Sequence, residues 1–256
     1  MNPDNIINHD EVVMGTVASF TLYRQSSHLS YSQAMSGLEA ACAKLHFLDE
    51  IFSTWKPDSP MSRLRRKELE VNEAPSEIQE VLRLCESVKE STKGWFDPWA
   101  MPGGVDPTGL VKGWAVERAL EILQDSGISA ALINAGGDLA VFGRPETDLG
   151  WRIGIQHPWR SDMLACVVQV ESAVATSGTY ERGAHIIDPF TGLASIRVES
   201  ATVTGPNLAL ADAFATALAA SGSDGLAFLE NFPHYDAYLI YLDGSEFSTP
   251  GIKLVT

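Results

Sequence analysis

Basic residues are scarce in this chain. Eighteen lysines and arginines stand against 33 aspartates and glutamates, which gives a formal net charge of −15 over 256 residues. Proteins that bind nucleic acids neutralise phosphates with clusters of lysine and arginine, and no basic run occurs here. The composition therefore argues against a nucleic-acid partner. A small anionic ligand would need a local positive feature, such as a helix N-terminus, a lysine or a metal ion.

Cysteine is also rare, with three widely spaced residues at Cys42, Cys85 and Cys166. Neither a CxxC pair nor a zinc-ligand spacing occurs, and an odd number of cysteines does not make a complete set of disulfides. All three lie in apolar stretches of sequence. We therefore expect buried, reduced thiols.

Long apolar runs are absent. No segment approaches the ~18 apolar residues of a membrane span, and the start of the sequence has no basic region, no apolar region and no lipobox-like cysteine. We expect no membrane span and, for the chain as given, a cytoplasmic location; an exported form stays open if an export segment was removed. Hydrophobic residues make up 45% of the chain, enough for a sizeable core and too many for disorder. The length suits a single domain over residues 1–256.

Hydrophobic spacing changes between the strand period and the helix period along the chain. The order of elements favours an α+β fold in which helices pack on an antiparallel sheet. Strands are predicted within 11–23 (as one strand or a tight pair), 130–143, 150–158, 163–178, 196–205 and 236–255. Helices are predicted within 32–55, 59–70, 74–94, 110–127, 207–222 and 224–232.

Two segments offer the positive feature that an anion would need, or a close approach to the backbone. Gly109 precedes a helix whose first turn carries Lys112, so free N–H groups and a full charge meet there. Asp106, three residues earlier, either binds a ligand or only caps the turn. The pair Gly136–Gly137 allows a close backbone approach, but it is not a dinucleotide fingerprint, and Asp138 after it is read as a turn cap.

Two further segments carry groups suited to metal binding and proton transfer. Asp212 and Thr216 are one turn apart on a helix made otherwise of alanine and apolar residues. Their oxygens are hard ligands, suited to Mg²⁺ or Ca²⁺, although Asp212 facing water is an equal alternative. In "ATSGTYERGAHIIDPFTG", residues 175–192, His185 can exchange a proton near neutral pH and Asp188 begins a turn. A structural loop is the alternative there.

Together these segments match one family in order and content. The chain resembles the FAD:protein FMN transferases, the ApbE family, over most of its length. The combination of TSGxYxR…HIIDPxTG with ADAxATAL is the most specific part. The matching stretches are "MGT" (14–16), "FSTWKPDSPMSRL" (52–64), "FDP" (96–98), "VDPTGLVKGWAVE" (105–117), "INAGGDLAVFG" (133–143), "ATSGTYERGAHIIDPFTG" (175–192) and "ADAFATAL" (211–218).

The resemblance implies a T-fold-like α+β domain and a defined reaction. Members bind FAD and a divalent ion, usually Mg²⁺. They split the FAD pyrophosphate, release AMP and attach FMN to a Thr or Ser hydroxyl of an acceptor flavoprotein. Two other functions stay open: an Mg²⁺-dependent FAD pyrophosphatase, in which water replaces the acceptor, and a flavin-binding protein without turnover.

The resemblance also implies a role for each matching position. His185 would take the acceptor's proton, with Asp188 as the alternative, and Lys112 would lie near the phosphates. The implied flavin contacts are Met14, Trp55, Phe96, Asp97, Pro98, Asp106, Lys112 and Ile187. The implied metal ligands are Gly109 and Ala215 through their carbonyls, and Asp212 and Thr216 through their side chains.

Two departures from the family pattern affect the predicted pocket. "SPMSRLRRK" lacks the Asn that often follows this serine-rich turn, which leaves the edge of the pocket undefined. Trp55 stands where many members have Tyr. It keeps a stacking surface and changes the polar tip, so the balance between transfer and hydrolysis stays open.

Overall fold

The computed structural model describes residues 5–25, 28–145, 150–178 and 186–255. The strands are β1 (Ile6–Val13), β2 (Thr16–Tyr23), β3 (Ala130–Ala135), β4 (Asp138–Phe142), β5 (Trp151–His157), β6 (Arg160–Val170), β7 (Ala173–Gly178), β8 (Ser200–Gly205), β9 (Asp236–Ile240) and β10 (Glu246–Ser248). The helices are α1 (Tyr31–Phe52), α2 (Pro60–Arg65), α3 (Ser76–Ser91), α4 (Thr108–Asp125), α5 (Leu208–Ser221) and α6 (Leu226–Leu229).

The predicted α+β architecture is confirmed. In the part of the chain that the structure describes, eight strands form an antiparallel sheet in the order β1-β2-β3-β4-β7-β8-β9-β10. The segment predicted as one strand or a tight pair is a pair, β1 and β2, and it begins at Ile6. Strands β5 and β6 make a separate two-stranded ribbon.

The sheet has an apolar core on each face, because successive strand residues point to opposite sides. On β4, Ala140 belongs to the core that the helices cover. Its neighbours Leu139 and Val141 belong to the second core, with Trp151 and Ile153 of the β5–β6 ribbon. The middle of the large sheet is therefore buried between helices on one side and the ribbon on the other.

Local sequence signals set the helix ends. Ser30 forms a capping box with Gln33 at the start of α1, and Ser59 accepts the Ser62 N–H at the start of α2. Gly222 follows α5 with φ +59°, a conformation in which a side chain is strained. Among the helices that the structure describes, none combines the length and the apolar character that crossing a bilayer requires.

Helices α4 and α5 pack closely, because small residues form their contact. A Cβ on Gly113 would lie 2.6 Å from the Leu208 carbonyl oxygen, so only glycine fits at this crossing. Glu117 of α4 accepts hydrogen bonds from the Leu208 N–H and the Asn207 side chain at the start of α5. This crossing brings Asp212 of α5 against the first turns of α4. The cysteines are free, with Cys42 and Cys85 buried as expected and Cys166 only partly buried.

Candidate functional site

Two glycine-containing hairpin turns lie side by side at one end of the sheet. Met14 and Gly15 join β1 to β2, and both have positive φ. Gly136 and Gly137 join β3 to β4, also with positive φ, as a two-residue hairpin turn requires. A Cβ on Gly136 would lie 2.7 Å from Thr16 Oγ1. The close approach predicted at this turn is therefore made to Thr16 at the start of β2, and only glycine leaves room for it.

An ion pair joins this end of the sheet to α4. Lys112 Nζ lies 2.6 Å from Asp138 Oδ2, and the Asp138 side chain is 1% exposed. The other carboxylate oxygen, Oδ1, accepts the Thr176 N–H at 3.1 Å. The sequence led us to read Asp138 as a turn cap, and that interpretation was wrong, because its carboxylate is buried against a lysine. The available signal was one acid in the otherwise apolar strand "DLAVF".

Asp212 lies in the same buried region, so the alternative in which it faces water is wrong. Its Oδ2 accepts the Gly113 N–H at 3.2 Å. Burial raises the pKa of Asp212, and the nearby carboxylate of Asp138 raises it further, while Lys112 lowers it. Two buried carboxyl groups therefore lie beside one lysine. A bound cation would relieve this excess of negative charge.

Hard oxygen donors surround this acid pair. Thr216 Oγ1 lies 3.2 Å from Ser177 Oγ. A Cβ on Gly109 would lie 3.0 Å from Thr216 Oγ1, so the glycine keeps the α4 backbone close to this hydroxyl. Gly109, Asp212 and Thr216 are thus neighbours, as the sequence predicts, and their oxygens suit Mg²⁺. The metal itself and the carbonyl ligand Ala215, which is fully buried, stay predictions.

Hydrogen bonds and an ion pair hold the loop between α3 and α4 in place. Asp97 accepts the Trp99 N–H and pairs with Lys89 at 2.7 Å. Phe96 and Pro98 are buried, and the Pro98 carbonyl accepts the Asp106 N–H at 2.9 Å. Asp106 Oδ1 in turn accepts the N–H of Thr108, the first residue of α4. The capping role that the sequence offered for Asp106 is therefore present; its flavin contact stays a prediction.

Arg65, at the end of α2, fastens this loop. Its Nη1 lies 2.6 Å from Asp106 Oδ2, and it donates to the Val105 and Pro102 carbonyls. A Cβ on Gly104 would lie 2.8 Å from the Arg65 carbonyl oxygen, so the loop lies directly on the Arg65 backbone. In the sequence, this stretch departs from the family pattern by a missing Asn. The structure shows that an arginine there holds the loop that leads into α4.

We expect Arg65→Gln to lower the free energy of unfolding by about 2 kcal/mol, because it removes one ion pair and two charge-assisted hydrogen bonds in a partly buried position. Urea unfolding of the full chain measures this change. Arg66→Gln is the matched control, since Arg66 pairs with the exposed carboxylate of Glu68, and exposed ion pairs contribute little to stability. Equal losses in the two variants would contradict the role given to Arg65.

Three implied flavin contacts lie apart from the acid pair in sequence and differ in exposure. Trp55 is 93% exposed and only its backbone is fixed, through the Ser53 hydroxyl. Met14 lies in the β1–β2 turn and packs partly against the core. Ile187 forms an isolated bridge with Ala194. Their flavin contacts stay predictions.

Asp188 has partners that account for its position without catalysis. Its Oδ1 accepts the N–H groups of Phe190 and Thr191, and its Oδ2 lies 3.7 Å from Arg197. These contacts are those of a structural turn, which is the alternative that the sequence left open for this segment. A catalytic role for Asp188 stays a prediction. His185, the predicted base, lies outside the residues that the structure describes.

Comparisons with known proteins place this arrangement in context. The sequence model of the ApbE family matches residues 14–104 and 101–239. The FAD:protein FMN transferase of Treponema pallidum is 33% identical over 168 residues, which cover 58% of this chain and 46% of that protein. The chain thus spans less than half the length of the curated relatives it matches.

Solved structures agree with the fold. The flavin transferase ApbE from Vibrio cholerae superposes with a TM-score of 0.81 at 21% identity, over 96% of this chain and 97% of that chain. The ApbE protein from Thermotoga maritima gives 0.81 at 22% identity, with the same coverage. These identities are low, so the likeness establishes the fold alone.

Proposed function

Because the chain belongs to the ApbE family, we propose that it is an FAD:protein FMN transferase acting as one domain. It cleaves the FAD pyrophosphate, attaches FMN to a Thr or Ser hydroxyl of an acceptor flavoprotein and releases AMP. Relatives named FAD:protein FMN transferase support the reaction. The observation that carries the proposal is the buried Asp138–Asp212 pair held by Lys112 beside the first turns of α4.

The donor set of this site fits a magnesium ion. Asp212 and Thr216 would hold it through side-chain oxygens, with carbonyls of Gly109 and Ala215 beside them. A bound Mg²⁺ would neutralise phosphate oxygens, which otherwise repel an attacking nucleophile. The raised pKa of Asp212 fits the same assignment, because a buried carboxylate without a cation takes up a proton more readily.

The chain's own residues supply the rest of the electrostatics. Lys112 lies in the first turns of α4, so its ammonium and the helix N-terminus act on an anion from the same side. Asp138 fixes the position of this ammonium. We assign Lys112 to the phosphates, where it stabilises the negative charge that builds up as the pyrophosphate breaks.

Transfer also requires the removal of one proton. The acceptor hydroxyl attacks the phosphorus on the FMN side, and AMP leaves with the bridging oxygen. We assign the proton of the attacking hydroxyl to His185, whose imidazole exchanges protons near neutral pH. Phe96, Asp97, Pro98 and Asp106 lie on the loop that Arg65 holds, and we assign to this loop one wall of the flavin pocket.

One incubation tests the proposed function against both alternatives. The purified chain is mixed with FAD, MgCl₂ and a Thr-containing acceptor flavoprotein, and the products are separated by chromatography and mass spectrometry. FMN joined to the acceptor, with an equal amount of AMP, supports the transferase. Free FMN and AMP in place of the adduct identify a pyrophosphatase, and unchanged bound FAD identifies a carrier; either result overturns the proposal.

We expect Trp55→Ala to weaken FAD binding about tenfold, because a lost aromatic stack costs about 0.5–1.5 kcal/mol beyond its buried area. The exposed indole is free to cover a bound isoalloxazine ring. Fluorescence titration with FAD measures the affinity. The control is Trp159→Ala, an exposed tryptophan at the turn of the β5–β6 ribbon, which should bind FAD normally. Equal affinity in both variants would remove Trp55 from the pocket.

A further inference from the structure

A second group of titratable side chains lies between β1 and α1. Ligand atoms of His9, Glu11 and Cys42 all lie within 4.8 Å of one another. His9 Nε2 lies 3.0 Å from Glu11 Oε2, and His46 Nε2 lies 2.8 Å from Glu11 Oε1. One imidazole, a carboxylate and a thiol thus meet around one point, and the His46 imidazole contacts the other oxygen of the carboxylate. We call these four residues the β1–α1 cluster.

The strand half of the cluster interrupts an apolar face. Alternate residues of β1 share one side of the sheet, and on this side Ile7 and Val13 are buried. His9 and Glu11 occupy the two positions between them, where packing against a helix would favour apolar side chains. Burying part of two polar groups there costs free energy unless they find partners. Their partners are each other and α1.

The helix half of the cluster presents its groups at the spacing that ligands need. Cys42 and His46 are four residues apart, so they lie one above the other on the same side of α1. Cys42 is buried and His46 is half exposed. The thiol therefore closes the bottom of the cluster, and the open side near His46 gives a metal ion access from solvent.

We propose that the β1–α1 cluster is a binding site for a transition-metal ion, with zinc as the best fit. Nitrogen, sulfur and carboxylate oxygen are the donors of tetrahedral Zn²⁺ sites; His9, Glu11 and Cys42 supply three of them, and His46, beside Glu11, would supply the fourth. The set is poorly suited to Mg²⁺, which takes hard oxygen ligands. This separates the cluster chemically from the oxygen site at Asp212 and Thr216, and the inference does not depend on the proposed transferase activity.

The electrostatics of the cluster define the protonation state that a metal ion would meet. Burial raises the pKa of the Cys42 thiol to about 11, and the negative charge of Glu11 adds to the effect. Hydrogen bonds from His9 and His46 lower the pKa of Glu11, so its carboxylate stays charged. The cluster without metal is therefore anionic at one carboxylate and holds a neutral thiol. Binding of Zn²⁺ would displace the thiol proton and pair two anionic ligands with the dication.

The site would act as a structural link. β1 is an edge strand of the eight-stranded sheet over the described residues, and it pairs only with β2 there. A metal ion held by two residues of β1 and two of α1 would fasten this edge to the helical layer. Ligation by groups far apart in sequence stabilises the folded chain because the unfolded chain does not form the site.

Cobalt(II) tests the ligands directly, since a cobalt–thiolate bond gives a charge-transfer band in the near ultraviolet. We expect the chain to bind Co²⁺ at the cluster with this band and with intense visible bands of tetrahedral coordination, and Zn²⁺ to displace it. Cys42→Ser should remove the thiolate band and weaken Zn²⁺ binding about 100-fold, measured by competition with a chromophoric chelator. His9→Gln and His46→Gln should each weaken it at least about tenfold.

Two controls make the result decisive. Cys166→Ser removes another free thiol that is not fully buried and should leave the spectrum and the affinity unchanged. Asp212→Asn should also leave the thiolate band and the affinity of the β1–α1 cluster unchanged. Loss of the oxygen site is then distinguishable from loss of the β1–α1 cluster. A wild-type chain without a thiolate band, or a band that persists in Cys42→Ser and is lost in Cys166→Ser, would overturn the proposal. Circular dichroism of each metal-free variant shows that it is folded.

Discussion

Asp212→Asn should lower the rate of FAD cleavage by at least about 10²–10³-fold, the loss typical when one preorganised electrostatic group is removed from an active site. The amide keeps the size of the side chain and an oxygen for the Gly113 N–H, but it loses the charge that would hold a cation. AMP release from FAD at saturating MgCl₂ measures the rate.

The fold should survive this change. The pKa of Asp212 is higher in the folded chain than in the unfolded chain, so folding becomes less favourable as the pH rises from the unfolded pKa to the folded one, and a neutral amide removes this cost. The melting temperature of the variant near neutral pH should equal or exceed that of the wild type. Asp224→Asn, which alters an exposed carboxylate after α5, is the control and should cleave FAD normally. A normal rate in folded Asp212→Asn would refute the ligand assignment.

Lys112→Met should lower the free energy of unfolding by about 3 kcal/mol, since removing one partner of a buried ion pair leaves the other charge uncompensated. Asp138 is almost fully buried, and its remaining described hydrogen bond, from the Thr176 N–H, does not balance a full charge. The methionine keeps most of the apolar stem. Urea unfolding followed by circular dichroism measures the change.

The double variant Lys112→Met/Asp138→Asn distinguishes charge imbalance from lost packing. Neutralising both partners should restore most of the lost stability, while FAD cleavage stays low because the phosphates lose their lysine. If the double variant is no more stable than Lys112→Met, the destabilisation comes from packing and the electrostatic explanation fails. If it cleaves FAD at the wild-type rate, Lys112 does not act on the phosphates.

Local signals in the sequence predict most elements of the fold. Alternation of Trp151, Ile153 and Ile155 identifies a strand with one buried face, and this is how β5 packs. Ser30 and Ser32 are both candidate caps for α1, and the structure uses Ser30, whose side chain accepts the Gln33 N–H within a single turn. Such signals depend on neighbours a few residues away, so they are readable without knowing how distant parts of the chain meet.

Residues whose partners lie on other elements are harder to identify. Asp138 looks like a turn cap beside Gly137, and only the placement of α4 shows that Lys112 neutralises it. Arg65 looks like one of several surface arginines, and only the structure shows that it pairs with Asp106 in the loop before α4. Cys42 looks like an inert buried thiol, because nothing in the sequence places β1 against α1. Each role depends on a contact between distant segments.

The strand order has a consequence for how the chain reaches this fold. β2 pairs with β3, and Tyr23 meets Ala130 only after all of α1 to α4 has been made. Closing so long a loop costs chain entropy before the pairing stabilises anything, so contacts of this kind slow folding. By contrast β3 and β4 are joined directly by the Gly136–Gly137 turn. During synthesis the β1–β2 hairpin therefore leaves the ribosome long before β3, the strand that pairs with β2. Until β3 is made, the hydrogen-bonding edge of β2 stays unpaired by β3.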